Sequence, residues 1–176
     1  MADYNKDLFL SQWHCDYSGV IVILRQYCYH HPEDFEGNFH LGEGFYKLAL
    51  QDLAQGSFDK DNFYRARYYF SKAKKASQDP LKARIASKAY DNVKIDMAIE
   101  KQDGSELIEF AEKVSLLGET DRAVDLYFYA GNIFMCEGNF SDAINCFEKG
   151  LSLTNQDNQK IVTVQAASAI TMPPVK

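Results

Sequence analysis

The chain has 176 residues, of which 46% are hydrophobic and 14% aromatic, enough apolar material to bury a core and too much for a disordered body. Its 19 Lys and Arg stand against 25 Asp and Glu, a net charge of −6, which weighs against a general binder of polyanions. No stretch reaches the ~18 consecutive apolar residues of a membrane span, and no basic start followed by an apolar run suggests a signal peptide.

Proline is scarce, four in all, two of them in the closing Met172-Pro173-Pro174-Val175-Lys176. β-Branched runs are confined to residues 20–23 and 161–164, so helix is expected nearly throughout. The pattern predicts helices over 5–14 and 17–30, the second ended by His30-His31-Pro32, where proline forbids continuation. A helix over 36–54 follows, with Phe39, Leu41, Phe45, Leu48 and Leu50 among its apolar positions. Residues 56–61 read as a loop, with Asp61 as N-cap of a helix over 62–77. Asp79-Pro80 stops that helix and starts one over 81–101, where Ala83, Ala86, Tyr90, Val93 and Met97 share a face. Asp103-Gly104-Ser105 breaks the chain, and Ser105 opens 106–117. Gly118 ends that element, Thr120 or Asp121 caps 121–137, and Ser141 starts a last helix ending near Asn155. Residues 156–176 are read as a capping segment, helical or extended, and a flexible tail.

In the last two helices, Tyr127-x2-Ala130-Gly131-x2-Phe134 is followed by Ala143-x3-Phe147-x2-Gly150, with Glu137-Gly138-Asn139-Phe140 between them. Gly138 suits the left-handed residue of a tight turn. Gly131, Ala143 and Gly150 let two helices approach closely beside the aromatics. The unit resembles the tetratricopeptide repeat, W-x2-L-G-x2-Y in the first helix and A-x3-F in the second, with Tyr, Ala and Phe for Trp, Leu and Tyr. The pattern recurs in Gly42-x2-Phe45 and Ser87-x2-Tyr90, at intervals of 45 and 44 residues. Ala66-x3-Phe70-x2-Ala73, Ala111 and Ala143 mark the second helices, and Asp16-Tyr17-x2-Val20-x3-Leu24-x2-Tyr27 is read as an earlier one. Only the last unit has the family's spacing; the first helices of the others are longer. Covering roughly residues 4–155, the resemblance implies an all-α, right-handed stack of antiparallel helical hairpins. It would be a tetratricopeptide-like α-solenoid of seven to eight helices within a domain over 1–155.

In such arrays the first helices line a concave groove that holds an extended peptide or a helix of a partner protein. The resemblance places Phe39, Glu43, Tyr46 and Lys47 on that wall, then Arg84, Lys88, Asp91 and Asn92, then Phe128, Asn132, Met135 and Cys136. Arg84 and Lys88, four apart, can grip one carboxylate together, and Asn132 can bond a peptide backbone through its amide. Gly131-Asn132 also resembles the repeats that clamp acidic C-termini of chaperones. Phe128 stands where that subclass has lysine, so a partly apolar groove is expected instead. Charge is bipolar: residues 60–94 hold ten Lys and Arg against three Asp. That segment fits either a partner with acidic groups or a second copy of the chain; the plainer alternative is a solvated face.

Cys15, Cys28, Cys136 and Cys146 form no C-x2-C pair and have no His at ligand spacing, so reduced core thiols in a cytoplasmic compartment are expected. His14, His30, His31 and His40 cluster early but match no zinc motif, and no Gly-rich phosphate loop or nucleophile elbow is present. No cofactor, metal or catalytic residue is therefore assigned. Phe63-Tyr64-Arg65-Ala66-Arg67-Tyr68-Tyr69-Phe70 interleaves rings and guanidiniums, which offers nucleic-acid binding by segment 60–94 as an alternative. The favoured reading is a non-catalytic interaction module, an adaptor or a chaperone of the secretion type.

Overall fold

The computed structural model describes residues 17–154, and every regular element among them is an α-helix. In chain order these are α1 (Tyr17–His30), α2 (Phe35–Ala54), α3 (Lys60–Ala76), α4 (Pro80–Glu100), α5 (Gly104–Leu116), α6 (Thr120–Cys136) and α7 over 140–154. This is the all-α, hairpin-after-hairpin architecture expected from the repeat pattern. The helix predicted over 5–14 and the segment 156–176 lie outside the described residues. Two compact units divide the chain, residues 1–97 and 98–176.

In the first unit α1 packs on α2 and α2 on α3. The core is one cluster in which Val20, Leu24 and Cys28 of α1 meet Leu41, Phe45 and Ala49 of α2 and Phe63, Ala66 and Phe70 of α3. Val20 and Ile21 are buried while Val22 and Ile23 face out, so the β-branched run follows the helical period rather than a strand's alternation. In the second unit α5 packs on α6, burying Leu107, Phe110, Ala111 and Val114 with Leu126, Ala130 and Phe134. The alanines that marked the repeat (Ala66, Ala73, Ala111 and Ala143) are all fully buried. In α4 it is Ala86, and not the neighbouring Ser87, that is buried; the Ser87 hydroxyl receives Lys74 at 3.3 Å.

One turn design closes four of the helices. Gly56, Gly118 and Gly138 take φ near +78°, and the next residue's N–H reaches back to a carbonyl five residues earlier, as Asn139 does to Phe134 at 2.9 Å. This satisfies carbonyls left open at a helix end. After α4 the left-handed position is filled by Gln102, φ 55°, with Asp103 N–H bonded to the Ala98 carbonyl at 2.8 Å. Gly104 is therefore not the breaker the sequence suggested. It is the first residue of α5, buried, and a Cβ there would lie 2.9 Å from Phe134 Cζ.

Caps also sit earlier than expected. Asp59, not Asp61, begins α3 by accepting the Asp61 N–H at 2.8 Å. Asp103, not Ser105, begins α5 by accepting the Glu106 N–H at 3.0 Å. Asn139 precedes α7 and accepts the Asp142 N–H at 3.4 Å, donating in return to the Asp142 carboxylate at 2.6 Å. A carboxylate or amide two or three residues ahead of an open N–H reaches it better than a residue already inside the first turn.

Candidate functional site

The expected binding face begins on α2 and α4 of the first unit. Lys82 donates to Glu36 at 2.7 Å and the Tyr46 hydroxyl donates to Asp96, so the two helices lie beside one another and run in the same direction. The bond to Glu36 raises the Lys82 pKa. Several predicted residues are engaged in the unit's own packing. Phe39 is half-buried between Phe35 and Phe70, ring centroids 5.6 and 5.4 Å away. Glu43 pairs with His40 Nδ1 at 2.9 Å, and Tyr46 is tied to Asp96. Asp91 and Asn92 are half-buried, whereas Lys47, Arg84 and Lys88 are exposed.

The remaining candidates lie on α6 in the second unit. Ala123, Leu126, Tyr127, Ala130 and Phe134 face its core, and helical periodicity turns Phe128, Asn132 and Met135 outward. Phe128 remains 39% exposed and Met135 45%, which makes a short apolar stripe with an amide in the middle. The stripe rests on a tight contact: Gly131 lets Phe147 of α7 come so near that a Cβ would lie 2.5 Å from its Cε1. Phe147 in turn touches Phe128, centroids 5.5 Å apart. Lys149 of α7 bonds Glu112 of α5 at 2.9 Å and lies over the Tyr127 ring.

Cysteine chemistry is mostly inert. Cys28, Cys136 and Cys146 are free thiols. Burial pushes the Cys28 thiol up to about 11 and raises that of Cys146. Cys136, expected among the core thiols and also on the groove wall, is exposed at the end of α6 and so is not a core residue. No group of three or more His, Cys, Asp or Glu among the described residues is arranged to hold a metal ion.

The sequence did not single out the following recess. Between α1 and α3, Arg25, Tyr64, Arg65, Tyr68 and Tyr69 surround an open cleft of about 320 Å³ with Phe45 of α2 below. The aromatic run on α3 signalled part of it. Arg25 and Phe45 come from other helices, and no spacing rule joins them to that run. Phe63 and Phe70, the ends of the run, are buried in the core and present no face to a base.

Residues 124–157 match the family model for the tetratricopeptide repeat, the same stretch that holds the Gly131–Phe147 contact and the α6 stripe. The chain is a tetratricopeptide-like helical-repeat protein. Neither a curated protein nor a solved structure matches it. Repeats of this kind serve broadly as protein-interaction modules. Among the described residues no helix is long and apolar enough to cross a membrane.

Proposed function

We propose that the chain is a non-catalytic module of the cytoplasm that captures a peptide or helix of a partner protein, as an adaptor or as a chaperone of the secretion type. The observation that carries the reading is the tetratricopeptide match over 124–157, with Phe128, Asn132 and Met135 exposed on the first helix of that repeat. On this reading Phe128 and Met135 supply apolar contact and Asn132 bonds the partner's backbone. In the first unit Lys47, Arg84 and Lys88 attract acidic groups of the partner, while Phe39, Glu43, Tyr46 and Asn92 shape the wall behind them. A second copy of the chain is an alternative occupant, and light scattering of the purified protein distinguishes it.

The test begins with partners captured from the native host and identified by mass spectrometry, each then purified and titrated. Arg84→Glu/Lys88→Glu and, separately, Phe128→Ser/Met135→Ser should each weaken binding at least tenfold, about 1.4 kcal/mol, with the helical circular dichroism spectrum unchanged. Wild-type affinity in both variants refutes the assignment.

A further inference from the structure

We propose that the cleft between α1 and α3 is a separate binding site, for the anionic side chain of a protein partner: a carboxylate or a phosphoryl group presented on a peptide. It is built from other residues than the face assigned above, and it stands or falls independently of that face.

The cleft joins two features. Its floor is a fixed aromatic layer: Phe45 is 3% exposed and stacks on Tyr69, centroids 5.7 Å apart and planes 7° from parallel. Tyr68 meets Tyr69 edge-on at 5.0 Å. Its rim carries two cations from different helices, Arg25 and Arg65, both exposed, and no carboxylate among the described residues pairs with either. The Arg65 guanidinium carbon lies 5.5 Å from the Phe45 ring centroid. A guanidinium held by a ring face keeps its edge N–H donors for a planar or tetrahedral oxyanion, which it binds as a fork. Burial raises the Tyr69 pKa while Arg25 and Arg65 oppose it, so both cations are felt at the floor. Two guanidiniums that no carboxylate among the described residues neutralises thus border one recess, in a chain whose net charge is −6.

Size and charge select the ligand class. A recess of about 320 Å³ is at the small end of ligand sites and suits one side chain, its stem lying on Tyr64 and Tyr68 and its head between the arginines. Two cations neutralise about two charges, too few for the salt-dependent grip on a phosphate backbone that six or more contacts give. A peptide side chain is therefore favoured over a nucleic acid.

The test uses the full-length chain, labelled so that arginine side-chain Nε–Hε resonances can be followed. It is titrated separately with N-acetyl-phosphotyrosine amide, N-acetyl-glutamyl-glutamate amide and an oligothymidylate, each at low salt and at about 150 mM, where exposed long-range attraction is screened. Saturable shifts at Arg25 and Arg65 with one or both peptides at the higher salt are expected, and the peptide that saturates first identifies the head group. Arg25→Gln and Arg65→Gln should each weaken that binding at least tenfold, and Arg84→Glu/Lys88→Glu should leave it unchanged. Should Arg65→Gln disturb the floor through Phe45, Arg25→Gln on the other helix carries the same comparison. The proposal is overturned if neither peptide saturates these resonances, if the arginine variants bind as wild type does, or if the oligothymidylate binds more tightly than both peptides.

Discussion

Replacing Gly131 by alanine tests whether close helix contact, and not merely a helical pattern, defines the repeat. The added Cβ would lie 2.5, 2.8 and 2.9 Å from three carbons of the Phe147 ring, against an ordinary contact of about 3.5–4.0 Å. The ring must retreat by roughly 1 Å, and Phe128 stands against it, centroids 5.5 Å away. Overpacking of this kind costs about 1–3 kcal/mol, while the better helix propensity of alanine returns about 0.8–1 kcal/mol. The net expectation is a loss of about 1 kcal/mol, at most about 2. Gly150→Ala is the internal control. Its Cβ would meet Phe128 at 3.4 Å and Tyr127 at 3.6 Å, so propensity prevails and the variant should gain up to about 0.8 kcal/mol. Urea unfolding followed by circular dichroism reads both. In the double variant with Phe147→Leu, the penalty of Gly131→Ala should shrink by about 1 kcal/mol, since contacting residues couple. If Gly131→Ala is as stable as the wild type, or shows no coupling to Phe147, the contact does not hold the hairpin together.

Two further expectations follow from the turns and the buried thiols. Gln102 occupies the left-handed position that glycine fills after α2, α5 and α6; Gln102→Gly removes strain of about 1 kcal/mol and adds unfolded-state entropy, so a net gain of about 0.5 kcal/mol is expected, and a lower thermal midpoint would contradict it. With its thiol pushed up to about 11, Cys28 should resist iodoacetamide at pH 8 while exposed Cys136 is alkylated, as mass spectrometry of the native protein would show; equal labelling defeats the reading. The sign of the linkage is fixed by the upward shift: Cys28 costs nothing while the unfolded thiol stays protonated, and stability falls as pH rises from about 9 toward 11. Cys28→Ala should flatten that part of the stability profile.

What the sequence made legible was contact chemistry in which both partners belong to one pattern. Gly131 and Phe147 stand in the motif itself, and Gly42 with Phe70 repeat the arrangement, with a Cβ distance of 2.8 Å. Gly104 makes the same kind of contact with Phe134, yet in sequence a glycine after an aspartate reads as a break. Polar contacts made by buried or half-buried side chains left no trace either. Asn38 is buried and donates to the Pro32 and Asp34 carbonyls at 3.0 and 2.6 Å, holding the α1–α2 turn. The family resemblance puts Tyr46 on the binding face, and the hydroxyl's bond to Asp96, fifty residues on, is beyond any local pattern. The cleft shows the same division: Tyr64, Arg65 and Tyr68 were visible as a run, and their meeting with Arg25 and Phe45 is a property of three packed helices.

The stretched period has a single place in the hairpin. From the small residue of the first helix to the alanine of the second is 24 residues in the unit of Gly42 and Ala66, 24 in that of Ser87 and Ala111, and 12 in that of Gly131 and Ala143. From each alanine to the next small residue is 21 and then 20, close to the 22 that a 34-residue period would leave. The twelve additional residues therefore lie around the hairpin turn. α2 and α4 run 12 and 13 residues beyond the small position, against five in α6. That excess of seven or eight is about two helical turns, so the buried stripe continues along the same face instead of rotating into solvent. Ala49 of α2 and Val93 and Met97 of α4 fill the prolonged stripe, fully or almost fully buried. The second helices lengthen to match: Phe63, in the first turn of α3, has no exposed surface. Asn62 closes the first extended tip by donating to Asp52 at 3.1 Å and Asp59 at 3.0 Å. Additions in near-whole turns on both sides of the first hairpin explain why the close contact of Gly42 with Phe70 persists at a period the family does not use.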